Sequence, residues 1–456
     1  MLRYKKRMHF AGIGGVGMSA LAEILHARGF AVTGSDRMKS AITERLKSMG
    51  IDIQYDHTPA LVKESGMLVY SSAISGTNPE RVFAKKNNIP CYKRSRILGE
   101  LMQCHFSICV AGTHGKTTTS SMLGRIFIDA QRDPTLILGG FPVQENSNAR
   151  SGGGPLLVAE ADEYDRSFLD MEPVIAVITN IESEHLECYA DLDQIKRAFV
   201  DFCEKVPFYG AVIAVSDNPV VREIIPQINR TVITCGFDCD TDYHAVRVGN
   251  DTENGYVIQR RGEVMGVLKL QVPGKHNVYN ALTALAAAME MDVSFSDAAG
   301  SLERFRGVKR RFEISGEVSG VTIIDDYAHH PDEIRATFEA ARSSEYKNII
   351  AVFQPHLYTR TRDFMDEFAD ALCGCKSAII TDIYKSREEP IEGVSAQAIV
   401  DKMRIRGHAD VAFIADKNAA AKSAAGKAGE GDVIICMGAG DINEVIPLIA
   451  RELSNG

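Results

Sequence analysis

Two glycine-rich loops, each set between a strand-like run and a helix-like run, constrain the fold most. Gly12-Ile13-Gly14-Gly15-Val16-Gly17 closes a strand predicted over His9–Ile13 and opens a helix predicted from about Gly17 to Arg28. Gly112-Thr113-His114-Gly115-Lys116-Thr117-Thr118 follows a strand predicted over Ser107–Ala111 and opens a second helix. Glycine lets backbone come close to a phosphate, and the helix N-terminus favours its negative charge. Two such units in one chain predict parallel strands with crossover helices, hence α/β architecture.

The same alternation runs on. Strands are predicted at Phe30–Gly34, Met67–Ser71, Leu156–Glu160, Val174–Thr179 and Ala211–Val215. A last α/β unit is predicted from Gly320–Ile324, Asn348–Phe353, Ser377–Thr381 and Asp432–Met437. The apolar stretch Ala281–Ala288 is too short to span a membrane and reads as a buried helix. Breaks near Tyr92–Gly99 and Leu302–Gly307 divide the 456 residues into three expected domains, 1–98, 99–304 and 305–456. A net charge of −9 argues against nucleic acid or an anionic membrane as the main partner. No apolar stretch of signal-peptide length follows Lys5, Lys6 and Arg7, so no secretion signal is expected, and a cytoplasmic protein is. The ten cysteines include no CxxC pair and are expected as reduced thiols, mostly core filler. Oligomeric state, monomer or homodimer, is left open.

The loops differ in chemistry. Asp36 ends the strand after the first loop, where a Rossmann fingerprint places a ribose-binding acid, so this loop fits a diphosphate-bearing nucleotide. The second is close to a P-loop, with Val110 where the usual spacing has its first glycine. Its backbone suits a triphosphate, Lys116 can neutralise the β/γ charge, and Thr117 can ligate Mg²⁺. A redox enzyme needs the dinucleotide loop alone; a ligase acting on a nucleotide-linked substrate needs both. Downstream, Glu160, Asp162 and Glu163 cluster at a strand end, where acids hold Mg²⁺ in P-loop domains. His185 follows the next strand and is either a metal ligand or a satisfied polar residue. The pair His329-His330 invites zinc, but no third ligand stands at a recognisable spacing. His356, Arg360 and Arg362 follow another strand and suit a carboxylate or other anion; Arg362 faces away from Arg360 if that strand runs on.

The motifs GIGGVGMSALAE, SSAI, AGTHGKTTT, AEADEYDRSF, TNIESEHLE, GKHNVYNA, RRFE, DDYAHHP, FQPHLYTRTRDF and GAGDI occur in that order. Over almost its full length the chain resembles the Mur ligases, and among them those that join L-alanine to UDP-N-acetylmuramate. The resemblance implies an N-terminal Rossmann-like domain for the UDP sugar, a central P-loop ATPase-like domain, and a C-terminal Rossmann-like domain that closes over the site. It implies ATP and Mg²⁺ as cofactors and an acyl phosphate made from the lactyl carboxylate. By position, Lys116 matches the P-loop lysine within the Gly112–Thr118 ATP loop, and Glu160 and His185 match Mg²⁺ ligands. Asn277 and Asn280 match positions facing adenine, Arg311 a phosphate-contacting arginine, and Asp326 an acid that reaches the ATP ribose. His329, His356 and Arg360 match the region that handles alanine and the substrate's acyl end. Gly14, Gly15, Val16, Gly17, Met18, Ser19, Asp36, Ser71, Ser72 and Ala73 match the UDP-sugar loops. The chain departs from some members at Leu357, where they have arginine, at Tyr164, where they have serine, and at Glu184, where they have aspartate. A sister ligase that attaches a recycled peptide is the rival within the family, and an NAD-dependent oxidoreductase the rival outside it.

Overall fold

The computed structural model describes residues 7–145, 147–182, 188–248, 255–344, 346–386 and 388–455. The chain forms two compact units: one holds the described residues of 1–248, 255–270 and 279–305, the other those of 271–278 and 306–456.

The first unit contains two sheets. One has five parallel strands in the order Asp52–Gln54, Ala31–Ser35, Arg7–Ala11, Met67–Tyr70, Cys91–Lys93. Helix Val16–Ala27 packs on it through Met18, Leu21, Ala22 and Leu25, the i, i+3, i+4, i+7 spacing of one buried face. The other sheet has ten strands. Its parallel strands Phe106–Ala111, Leu156–Glu160, Ile175–Ile178 and Ala211–Val215 are apolar almost throughout, because helices or loops cover both faces.

Parallel strands alone were expected, yet the sheet is antiparallel toward both sides: Ala149–Arg150 runs against Thr135–Ile137 at one, and Gly255–Arg260 runs against both its neighbours at the other. Tyr243–Val248 pairs antiparallel with Gly255–Arg260, and that with Glu263–Lys269. The last turn is two residues, Arg261 at φ 48° and Gly262 at φ 85°, the left-handed pair that a tight hairpin requires. A bulge between Ile258 and Gln259 shifts the register, and Glu263–Lys269 is the outermost strand.

Helix Arg94–Met102 occupies much of the stretch read as the first break. It buries Ile97, Leu98 and Met102 in one continuous core with Cys109, Phe168 and Met171. At Gly99 a side chain would strike the carbonyl oxygen of Asp170, so only glycine allows this close packing. Ser95 Oγ donates to Asp170 at 2.5 Å and Lys93 pairs with Asp165 at 2.8 Å. The helix is thereby held to segment Tyr164–Asp170 from three sides. Helix Lys275–Met289 extends beyond the expected Ala281–Ala288 at both ends and contains the fully buried alanine run 286–288.

The second unit has a six-stranded sheet in the order Glu313–Val318, Val321–Asp326, Val433–Met437, Ile349–Phe353, Ser377–Ile380, Val411–Phe413. Only the first of these is antiparallel. In strand Ile349–Phe353, Ile349, Ala351 and Phe353 join one core and Ile350 and Val352 the other, the period-two pattern of a strand buried on both faces. All ten cysteines are free thiols, five of them buried. Among the described residues no helix is long and apolar enough to cross a membrane.

Candidate functional site

The first loop turns sharply at Gly12, φ 79°, and the amides of Gly12 and Ile13 both donate to the Ser35 carbonyl, at 2.8 and 3.0 Å. Gly14 N–H donates to Asp36 Oδ2 at 2.8 Å. A Cβ at Gly14 would lie 2.7 Å from that oxygen. Gly15 caps helix Val16–Ala27, which has no side-chain cap and no acid in its first turn. Its positive end is therefore unneutralised from within. Met18 and Ser19 are buried behind this turn, and Ser19 Oγ bonds back to Val16 O at 2.9 Å. Ser71 lies beside Gly12, while Ser72 and Ala73 are exposed on the same turn. The structure thus brings the predicted UDP-sugar residues together. Beneath them is a network that the sequence did not single out. Fully buried Glu80 accepts from Ser35 Oγ at 2.8 Å and lies 2.9 Å from both His9 Nε2 and His57 Nδ1. Its partners hold its carboxyl below the usual range against the opposing effect of burial, which is the largest single influence. No short motif marks Glu80.

The second loop is equally tight. At Gly112, φ 136°, a side chain would strike Thr179 Oγ1, and at Gly115, φ 83°, it would strike Asn280 Oδ1. Asn180 locks the loop: its carbonyl accepts from Thr113 N at 3.1 Å and its Oδ1 from His114 N at 2.8 Å. Thr117 Oγ1 and Ser120 Oγ donate to the two oxygens of Glu160 at 3.1 and 3.2 Å, and Gly139 N donates to it as well. Burial pushes the Glu160 carboxyl up, against the pull of the Gly139 amide and Lys116. Thr118 lies half-buried in the first helical turn.

The predicted acid cluster divides its work. Glu160 faces Thr117, while buried Glu163 pairs with Lys116 Nζ at 2.9 Å. Lys116 also donates to the carbonyls of Gly112 and Thr113. Asp162 accepts from Tyr164 N at 3.2 Å and shapes the turn. A carboxylate with two hydroxyls is a hard-oxygen donor set that fits Mg²⁺. His185 and Glu184 lie outside the described residues.

The two loops are tied. Asn148 Nδ2 donates to Val16 O and to Leu138 O, each at 3.0 Å, and Gly139 is the next residue, on Glu160.

In the second unit the predicted residues gather at strand ends. Asp326, buried, accepts from Phe312 N at 2.8 Å and Ala328 N at 2.7 Å. Burial raises its carboxyl to about 6, opposed chiefly by Arg311. Arg311 bonds Glu333 at 3.3 Å and its guanidinium lies 5.0 Å from the Tyr327 ring. Arg310 and Phe312 flank it at φ 61° and 51°, a strained backbone that aims the side chain. The same Glu333 accepts from His329 N at 2.9 Å. The His329 ring is 6.0 Å from that of His356, and Arg360 Nη1 is 3.5 Å from His356 Nδ1. Leu357, at φ 70°, begins helix Tyr358–Asp363, so the chain is helical here and the supposed strand extension does not exist. Arg362 pairs with its neighbour Asp363 at 2.7 Å. Asn277, also in this unit, is buried and donates to Pro273 O at 2.6 Å.

Residues 7–105 match the Mur ligase family catalytic domain, 110–288 the Mur ligase middle domain, and 310–440 the Mur ligase glutamate ligase domain. The UDP-N-acetylmuramate--L-alanine ligase of Geotalea daltonii is 42% identical over 96% of both chains. That of Sorangium cellulosum is 44% identical over 97% of this chain and 95% of its own. The crystal structure of UDP-N-acetylmuramate-alanine ligase from Thermotoga maritima superposes with TM-score 0.84 at 29% identity, over 99% of this chain and 100% of that one. A murein peptide ligase from Psychrobacter arcticus shares the fold, TM-score 0.74 at 24% identity over 99% of both chains. Two tight glycine-rich loops, an acid facing Thr117, three consecutive domain matches and full-length relatives lead to one conclusion: the chain belongs to the Mur ligase family.

Proposed function

We propose that the protein joins L-alanine to the lactyl carboxylate of UDP-N-acetylmuramate at the expense of ATP, through an acyl phosphate, as a cytoplasmic step of peptidoglycan precursor synthesis. The observation that carries the reading is the pair of loops in one compact unit, tied through Asn148, with an unneutralised helix end at one and Lys116, Thr117 and Glu160 at the other. A carboxylate is a poor electrophile; transfer of the γ-phosphoryl group turns it into an acyl phosphate that an amine attacks, releasing phosphate. Lys116 and Arg311 are assigned to the charge on the transferring group. Glu160, Thr117 and His185 are assigned to Mg²⁺, which when bound supplies charge neutralisation across the phosphates. Asn277, Asn280 and Asp326 are assigned to the adenosine part of ATP. Arg360, with His329 and His356, is assigned to the alanine carboxylate and the acyl end. We keep the boundaries 98/99 and 304/305 as part of the same proposal.

Phosphate release measured with ATP, UDP-N-acetylmuramate and L-alanine omitted in turn tests it. Full turnover is expected only with all three. Release independent of alanine, or preference for a peptide over alanine, overturns the reading. Lys116→Ala removes a P-loop cation and should lower turnover more than about a hundredfold in a folded protein. Near-normal turnover would remove Lys116 from the phosphoryl site.

A further inference from the structure

Between the two phosphate loops lies an arginine that neither the motifs nor the assignments above use. Arg94 opens helix Arg94–Met102, and its flanking residues are fixed: Lys93 by Asp165, Ser95 by Asp170. Its guanidinium sits against the first loop. A Cβ on Gly17 would come within 3.1–3.3 Å of its Nη1, Cζ and Nε. On its other side it feels the charges of Asp162 and Glu160. Among the described residues none makes a hydrogen bond or ion pair with it, although it is half-buried. A partly desolvated guanidinium is costly unless something pairs it. The helix end it adjoins is also unmatched, capped by Gly15 with no acid in the first turn. A bare cation beside a bare helix N-terminus forms a two-sided clamp, and its complement is an oxyanion with several acceptor oxygens.

We propose that Arg94 is a substrate-binding residue that holds the diphosphate of the sugar nucleotide from the side opposite the helix amides. This rests on the reading of the first loop as the sugar-nucleotide site. A Cβ at Gly17 would press on the guanidinium, which would have to give by a few tenths of an ångström.

The test compares wild type, Arg94→Ala, Arg94→Lys and Gly17→Ala by calorimetric binding of UDP, of UDP-N-acetylmuramate and of a non-hydrolysable ATP analogue, together with steady-state kinetics. Arg94→Ala should weaken UDP and UDP-N-acetylmuramate by the same factor, between about 10- and 150-fold, as expected for a charged hydrogen bond. Arg94→Lys should recover part of the loss, because a point charge replaces a bidentate fork. Gly17→Ala should weaken both ligands through the loop as well as through the arginine, so it is read only beside the Arg94 variants. Arg94→Lys, which keeps the charge and most of the packing, keeps the test valid if Arg94→Ala fails to fold. The ATP analogue should bind within about twofold of wild type, and the KM for UDP-N-acetylmuramate should rise more than kcat falls. Loss of UDP-N-acetylmuramate with UDP binding intact would place Arg94 on the lactyl carboxylate and overturn the assignment. Loss confined to the ATP analogue would make it a neutraliser of the acid cluster, which also overturns it. If wild type binds no UDP compound, the first-loop reading itself fails; if wild type binds and all variants bind equally, only the Arg94 proposal fails.

Discussion

At Gly14 the first glycine-rich loop leaves no room for a side chain. Its amide is bonded to Asp36, and a Cβ would press against the same carboxylate at 2.7 Å. Gly14→Val should therefore raise the KM for UDP-N-acetylmuramate roughly tenfold or more, since overpacking costs about 1–3 kcal/mol. The KM for ATP should stay nearly unchanged. Steady-state titration of each substrate checks this, and a selective loss of ATP affinity would reverse the assignment of the two loops. The glycine pattern and Asp36 were legible in the sequence because backbone geometry leaves few residue choices there. Glu80 and Arg94 were not, because an isolated acid or arginine between motifs looks the same whether it is buried in a network or solvated. Arg360 illustrates a middle case. Its contrast with Arg362 was expected on a strand, where residues two apart in fact share one face; the chain is helical there, and it is the helix that turns the two side chains to roughly opposite sides. Arg360→Ala should raise the alanine KM by about 10- to 150-fold. Arg362→Ala, which breaks only an exposed pair with Asp363, should leave it within about twofold. The opposite pattern in alanine-dependent phosphate release would mean that Arg362 is the carboxylate ligand.

At the scale of the element, function gathers where strands stop. Asp326 is the last residue of its strand; one backbone donor, Ala328, comes from the turn that follows it, and the other, Phe312, directly precedes the neighbouring strand Glu313–Val318. Burial holds its carboxyl at about 6, above the ordinary 3.8. Between those values the folded protein binds more protons than the unfolded chain, so this group's contribution to stability falls as pH rises. The contribution is complete below about pH 4 and gone above about pH 6; two units correspond to about 3 kcal/mol. Unfolding midpoints of wild type and Asp326→Asn measured from pH 4 to 7 should therefore diverge, with wild type losing stability relative to the variant as pH rises. Parallel curves would show that the carboxyl titrates normally. The parallel strands were visible in advance because burial on both faces makes them unbroken apolar runs. The hairpin over Tyr243–Lys269 was not: its turn is Arg261-Gly262, which carries only half of the usual glycine or asparagine signal.

For the molecule as a whole, the sequence disclosed the α/β class and the repeated use of strand–loop–helix units, since these follow from periodicity and glycine placement. It did not disclose how closely the first sheet joins the second. Helix Arg94–Met102 sits in a shared core with Cys109, Phe168 and Met171, and that packing depends on Gly99, a residue with no pattern around it. The outer margin of the ten-stranded sheet carries a consequence of another kind. Strand Glu263–Lys269 exposes Val264 and Val267, the composition that invites a second copy to stack edge to edge and polymerise. Charged Glu263 and Lys269 bracket the strand, and the extra residue Met265, opposite Ile258 and Gln259, bulges the strand itself. Charge at both ends and a bulge between them break up the flat, continuous edge on which further copies stack.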